Sequence, residues 1–286
     1  MVRPIVVTGA RGMLGTDVCA LLRNQEVAFV PADVDEFDIA DASAAMSFIA
    51  RCVPAAIINC AAYTAVDQAE SEPEIAFRVN RDGSRNLAEA ARSFGCHFVH
   101  VSTDYVFDGG KDSAYTEEDR PKPLGVYGAS KLAGEEAVRE ALPHYCIIRT
   151  AWLYGVNGKS FPRTILDLKR AGKAVRVVTD QVGSPTYASH LAAVLIEAAQ
   201  KAFVGTYHAV GSGTCSWYEF ARDVLSAAGF SPDIEPLTTP ELPRPARRPA
   251  NSVLSTRKLE QRHGLRLPPW QEGVREFVRH WRSERG

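Results

Sequence analysis

Paired cysteines are missing from this sequence. Its six cysteines, Cys19, Cys52, Cys60, Cys96, Cys146 and Cys215, form no C-x-x-C and lie scattered through 286 residues. That excludes a small disulfide scaffold and points to reduced thiols. The seven histidines show neither H-x₃₋₅-H nor Cys/His spacing, so no zinc site is expected. Net charge is nearly absent, −1 at pH 7, which removes any global case for nucleic acid or an anionic membrane as partner. No apolar run approaches the roughly 20 residues of a membrane span. Residues 1–4 have the pattern of neither a signal peptide nor an anchor, so the expected location is cytoplasmic. There is no internal repeat and no low-complexity tract.

What is present is ordinary globular composition, 45% hydrophobic and 23% charged, with a regular alternation of elements. Short β-branched or apolar runs at 5–7, 27–30, 56–59, 97–101 and 145–149 read as strands. Between them, 13–22, 43–51, 75–94 and 131–141 carry helical spacing. Strands alternating with helices imply right-handed crossovers and a parallel sheet, with ligands at the carboxyl ends of its strands. The fold class is therefore α/β, a Rossmann-type doubly wound parallel sheet with a smaller C-terminal substrate-binding lobe. Further helices are expected over 161–171, 188–201 and 217–228, and proline becomes dense between Pro232 and Pro249. Residues 174–178 read as a strand returning to the main sheet. On that reading the dinucleotide domain spans 1–151 with 174–205, and the lobe spans 152–173 with 206–286.

Four motifs carry chemistry. Gly9, Gly12 and Gly15 follow the first strand and open a helix, as G-x-x-G-x-x-G. Such a turn allows a pyrophosphate to approach the backbone at a helix N-terminus. Asp33 follows the second strand, where a carboxylate meets an adenosine ribose and favours NAD. Arg11 points the other way, since a guanidinium can pair with a 2′-phosphate and favour NADP. Ser102, Thr103 and Asp104 close the fourth strand. Tyr127 and Lys131 stand four apart on one helix face, so an ammonium is placed to draw a phenol down toward neutral pH for proton exchange. Taken singly, each motif is also compatible with a plain turn, a solvated acidic loop or an amphipathic helix.

Together and in this order, they resemble the extended short-chain dehydrogenase/reductase family. Longer stretches around Asn59–Asp67, Ser102–Phe107, Arg149–Gly155, Asp180–Thr186 and Pro245–Ser252 resemble its dTDP-4-dehydrorhamnose reductase branch, and the likeness covers almost the whole chain. The resemblance implies reduction of the C4 ketone of dTDP-4-dehydro-β-L-rhamnose to dTDP-L-rhamnose, the last step of dTDP-rhamnose biosynthesis, with NADPH or alternatively NADH. It implies Tyr127 as proton donor, with Lys131 lowering its pKa and holding the nicotinamide ribose. Thr103 would bond the substrate oxygen, Asp104 would contact the sugar, and Trp152 would pack on the substrate. Gly12, Met13 and Leu14 would line the pyrophosphate, Asp38 and Ile39 would flank the adenine, and Ala61, Ala62, Tyr63 and Thr64 would border the cofactor.

Some members of that branch are dimers bridged by magnesium through glutamates, where this chain has Asp17 and Ser189. Losing a carboxylate weakens a hard-cation site. No Mg²⁺ is expected, and a monomer is expected rather than a metal-bridged homodimer. Two other readings share the fold. A nucleotide-sugar 4-epimerase would retain its NAD. A regulatory subunit like that of methionine adenosyltransferase would bind without turnover. The joint presence of Thr103, Tyr127 and Lys131 favours the reductase. Arg247 and Arg248 are either solvated or turned toward a substrate diphosphate.

Overall fold

The computed structural model describes residues 2–283. The main sheet is built first from β1 (Ile5–Thr8), β2 (Phe29–Ala32), β3 (Ala56–Asn59), β4 (His97–Thr103) and β5 (Cys146–Thr150). Short strands β6 (Leu153–Tyr154), β7 (Arg176–Val178), β8 (Val182–Gly183) and β9 (Thr186–Tyr187) follow. The set closes with β10 (Gly205–His208), β11 (Cys215–Ser216) and β12 (Glu235–Leu237). Six strands form one parallel sheet in the order β10-β5-β4-β3-β1-β2. The chain reverses direction across the sheet between β1 and β3, and that switch point opens a crevice at the strands' carboxyl ends.

Alternation within each strand feeds two buried layers. Val7, Ile58 and Ile148 face one side, where α1 (Met13–Asn24) contributes Leu14, Val18 and Leu22. Val6, Ile57 and Ile147 face the other, against α2 (Ala42–Cys52) with Phe48 and Ile49. With both faces covered, a strand must be apolar throughout, which is why 56–58 shows no polar alternation. Each fully buried aliphatic side chain contributes about 1.5–3 kcal/mol. β2 begins two residues later than the sequence suggests and contains Pro31; it is an edge strand, where a missing N–H costs no ladder bond.

The helical stretch after β3 is α3 (Val66–Ala69), then α4 (Pro73–Phe77), a π-helical segment Arg78–Gly83 and α5 (Ser84–Phe94). α6 (Val126–Ala141) follows β4, and α7 (Phe161–Arg170) and α8 (Ala188–Gln200) follow β6 and β9. The second lobe gathers α7, α9 (Trp217–Ala227) and α11 (Trp270–Ser283), with α10 (Arg257–His263) lying between the last two in sequence. Its core holds Tyr154, Phe220, Trp270, Phe277 and Trp281. α9 starts at a capping box in which the Ser216 hydroxyl accepts from the Glu219 N–H.

One strand expectation is corrected. Residues 176–178 do not return to the main sheet; β7 pairs in parallel with β12, and Val177 joins the lobe core. The sixth strand of the main sheet is β10, assigned from sequence to the lobe. α8 supplies the crossover, with Leu191 and Leu195 in the same buried layer as α1. A three-residue apolar run names no partner, whereas a helix buried against α1 delivers its following strand to the β5 edge. All six cysteines are free; Cys52 and Cys60 are half-buried and the rest buried. No helix among the described residues is long and apolar enough to cross a membrane.

Candidate active site

Two adjoining clefts open at the carboxyl ends of the central strands and share Gly9, Gly12, Cys60 and Ala62 in their walls. The glycines explain why the floor is flush. Gly9 has φ +65°, and a Cβ on it would lie 2.7 Å from the Ala61 nitrogen. A Cβ on Gly15 would lie 2.1 Å from the Gly9 carbonyl oxygen. The loop after β1 is thus pressed onto the chain after β3. Gly12 caps α1 without a side-chain acceptor, and no acidic residue stands in the first turn. Free N–H groups at a helix start beside an open wall fit a pyrophosphate.

The smaller cleft, about 300 Å³, is walled by Asp33, Asp38, Ile39, Ala61, Arg78 and Val79 among others. Asp33 Oδ2 accepts from the Arg11 backbone N–H at 2.8 Å, and Oδ1 from that of Val34 at 2.9 Å. The carboxylate is therefore fixed by main chain. Arg78 Nη1 donates to Asp38 Oδ2 at 2.8 Å. The Arg11 guanidinium turns away to Asp35 and Glu36, at 2.8 and 3.0 Å, and does not line the cleft.

The larger cleft, about 420 Å³, holds the candidate chemistry. β4 ends in Thr103, whose hydroxyl stands between the Tyr127 phenol and Asp104, donating to Asp104 Oδ1 at 3.0 Å. Tyr127 and Lys131 occupy successive turns of α6. Lys131 is buried, and its Nζ donates to the Val101 carbonyl at 2.7 Å. Burial draws the ammonium down to about 8, opposed by Glu135. Burial also pushes the Asp104 carboxyl up to about 6, against the Ser252 and Thr103 hydroxyls that hold its charged form. The Tyr-x-x-x-Lys pairing predicts a phenol drawn down by the ammonium. The net direction is upward, because burial dominates and the Asp104 charge adds to it.

Trp152 closes the far end. Its indole stacks on Trp217, centroids 3.7 Å apart and planes 10° from parallel, and Nε1 donates to Ser252 Oγ at 3.1 Å. Its backbone holds φ +47°, strained for a residue with a Cβ.

The sequence profile of the family described as RmlD substrate binding domain matches residues 3–283. The dTDP-4-dehydrorhamnose reductase of Sinorhizobium fredii is 42% identical, with 96% of each chain covered. The spore coat polysaccharide biosynthesis protein SpsK of Bacillus subtilis is 39% identical, again over 96% of each. A crystal structure of dTDP-4-dehydrorhamnose reductase from Bacillus anthracis in complex with NADP superimposes with TM-score 0.95 at 38% identity, covering 98% of this chain and 100% of that one.

The chain belongs to the RmlD family.

Most residues that the sequence marks as members of an RmlD-type site do meet at the clefts: Gly9, Gly12, Met13, Leu14, Asp33, Asp38, Ile39, Ala61, Ala62, Thr64, Thr103, Asp104, Tyr127, Lys131 and Trp152. Arg11 and Tyr63 do not. The Tyr63 hydroxyl donates to Glu72 at 2.7 Å, and its backbone is clasped by Asn80, so its ring braces α4. Sequence reasoning missed Arg78, Lys159 and Trp217, which also line the clefts. Trp217 reads only as a helix start, and Arg78 only as one polar residue in a long helical stretch. Arg248 is neither free in solvent nor in the cleft wall; it pairs with Asp67. Asp17 accepts from Asn157 at 2.8 Å, and burial raises its carboxyl. With Ser189 as the second position, these residues do not fit a magnesium site.

Proposed function

We propose that this protein reduces the C4 ketone of dTDP-4-dehydro-β-L-rhamnose to dTDP-L-rhamnose, with NADPH or NADH. The observation that carries the reading is the convergence of Thr103, Tyr127 and Lys131 in one cleft that continues over the glycine loop. A reduced nicotinamide dinucleotide bound along that loop supplies the hydride. The remaining work belongs to the chain. Tyr127, kept protonated by burial, gives its proton to the oxygen at C4 as negative charge grows there. The Thr103 hydroxyl donates to the same oxygen, and both donors act on the transition state more than on the ketone. Lys131 holds positive charge under the site and, once a ribose is in place, donates to its hydroxyls. Asp104 accepts from a sugar hydroxyl through Oδ2, which is buried without a partner among the described residues. Trp152 and Trp217 offer the sugar an apolar wall.

In this reading the main-sheet elements hold the dinucleotide and the lobe of α7, α9 and α11 holds the nucleotide sugar. The protein works as a monomer in the cytoplasm; a magnesium-dependent rise in solution mass would overturn the monomer. The test is dinucleotide oxidation with the 4-keto sugar generated in situ. Sugar-dependent consumption that is lost in Tyr127→Phe supports the reductase. No consumption by folded protein with either dinucleotide rejects it in favour of an epimerase or a binding subunit.

A further inference from the structure

Ser252 lies in the proline-dense segment, a hundred residues from Trp152, and is 1% exposed. Its place is fixed by main chain: its N–H donates to the Val182 carbonyl at 2.8 Å, and the Val182 N–H donates to the Ala250 carbonyl at 2.8 Å. The residue after Val182 is Gly183, and a Cβ there would lie 2.4 Å from Trp152 Cε2. One two-residue strand, β8, thus seats both Ser252 and the indole that Ser252 binds. The stack on Trp217 sets the plane of the Trp152 ring, but stacking resists neither sliding nor rotation within that plane. The Nε1–H bond to Ser252 Oγ does. A hydroxyl accepts and donates at once. While Oγ accepts from the indole, its own proton remains to favour the charged form of Asp104.

We infer that Ser252 is a positioning residue for the sugar end of the cleft, locking the Trp152 indole in one register against the wall that faces Asp104. It touches neither dinucleotide nor reacting carbon. The inference rests on reading the cleft as a nucleotide-sugar site. Ser252→Ala leaves the half-buried indole N–H without its acceptor, a loss that the rest of the wall does not replace.

The test uses the full chain labelled with ¹⁵N, in which the indole N–H signals of the four tryptophans are resolved and Trp152 is assigned through Trp152→Phe. In Ser252→Ala the Trp152 signal moves and exchanges faster with solvent. KM for the nucleotide sugar rises about tenfold, while kcat and KM for the dinucleotide stay within about twofold. Ser252→Thr restores both readouts. Gly183→Ala displaces the indole with Ser252 intact and raises the same KM. An unmoved Trp152 signal in Ser252→Ala overturns the inference, as does an unchanged sugar KM in either variant. Wild-type protein that turns over no sugar rejects the functional reading, while the Trp152 signal still decides whether Ser252 holds the ring.

Discussion

The Arg248 guanidinium folds onto the Asp67 carboxylate, Nη2 2.9 Å from Oδ2, and so ties the proline-dense segment to α3. The Ala246 N–H adds a third bond to the same carboxylate, and Arg248 Nη1 also donates to the Ala246 carbonyl. Hydrogen bonding by Arg248 holds the Asp67 carboxyl below its ordinary value. A carboxyl lowered on folding stabilises the fold at pH above its unfolded value, and that contribution disappears as pH falls through the folded one. Arg248→Ala should cost about 1 kcal/mol at neutral pH, a figure kept small because Asp67 is 35% exposed and partly screened. It should also flatten the loss of stability below about pH 4. Urea melts of both proteins at pH 7 and pH 3.5 check this; equal losses at both pH values would refute it.

The cleft carries two groups that titrate where activity can be followed. Lys131 loses its charge near 8, so reductive turnover should fall as pH rises through about 8. Tyr127 is shifted upward and stays protonated there, so the alkaline limb belongs to the ammonium. Asp104 titrates near 6; as pH falls through that value its carboxylate stops accepting as an ion, and the sugar KM should rise. Asp104→Asn should raise the neutral-pH KM about tenfold and erase the acid limb. Profiles of kcat/KM for wild type and Asp104→Asn decide the assignment; an acid limb surviving in the variant removes Asp104 from it.

Glu135, one turn after Lys131 on α6, is fully buried. Burial alone would raise its carboxyl, but Arg149, Arg139 and Ser102 bring it to about 2. Arg149 contacts it with two nitrogens, at 2.8 and 2.7 Å, and Ser102 Oγ donates at 2.6 Å. Removing one member of a buried pair costs about 3–5 kcal/mol, because the other charge stays behind. Glu135→Met should therefore unfold the protein at markedly lower urea than the double replacement Glu135→Met with Arg149→Met. A double variant no more stable than the single would show that the pair contributes beyond its mutual neutralisation.

The parts of this fold that were legible in the sequence are those with local periodicity. β1 with its glycine loop, and Tyr127 with Lys131 on α6, each announce themselves within a dozen residues. What stayed hidden depends on partners far away in the chain. Residues 176–178 are plainly strand-like, but nothing in them says that residues 235–237 supply the partner. β10 is Gly-Thr-Tyr-His, too mixed to read as a core strand until α8 delivers it to β5. The acidic loop was legible as acidic, but only the fold separates Asp33, which faces the cleft, from Asp35 and Glu36, which hold Arg11 outside it. Trp217 reads locally only as a helix start; its role is set by the stack on Trp152.

That separation bears on which dinucleotide binds. Asp33 presents a carboxylate immobilised by two backbone N–H groups, as suits a ribose 2′-hydroxyl and repels a 2′-phosphate. Arg11, the counterweight on sequence grounds, is engaged with Asp35 and Glu36. Its pairs are exposed, so little free energy holds the guanidinium there, and it can swing to a phosphate without disturbing the fold. The chain should consequently accept both dinucleotides through different residues. Asp33→Asn should weaken NADH about tenfold, because its acceptor is lost, and tighten NADPH, because the repulsion is lost. Arg11→Ala should weaken NADPH about tenfold and leave NADH within about twofold. Dissociation constants from nicotinamide fluorescence titrations measure both. Should Arg11→Ala leave NADPH untouched, Arg78, already in the cleft wall beside Asp38, becomes the cation that receives the 2′-phosphate.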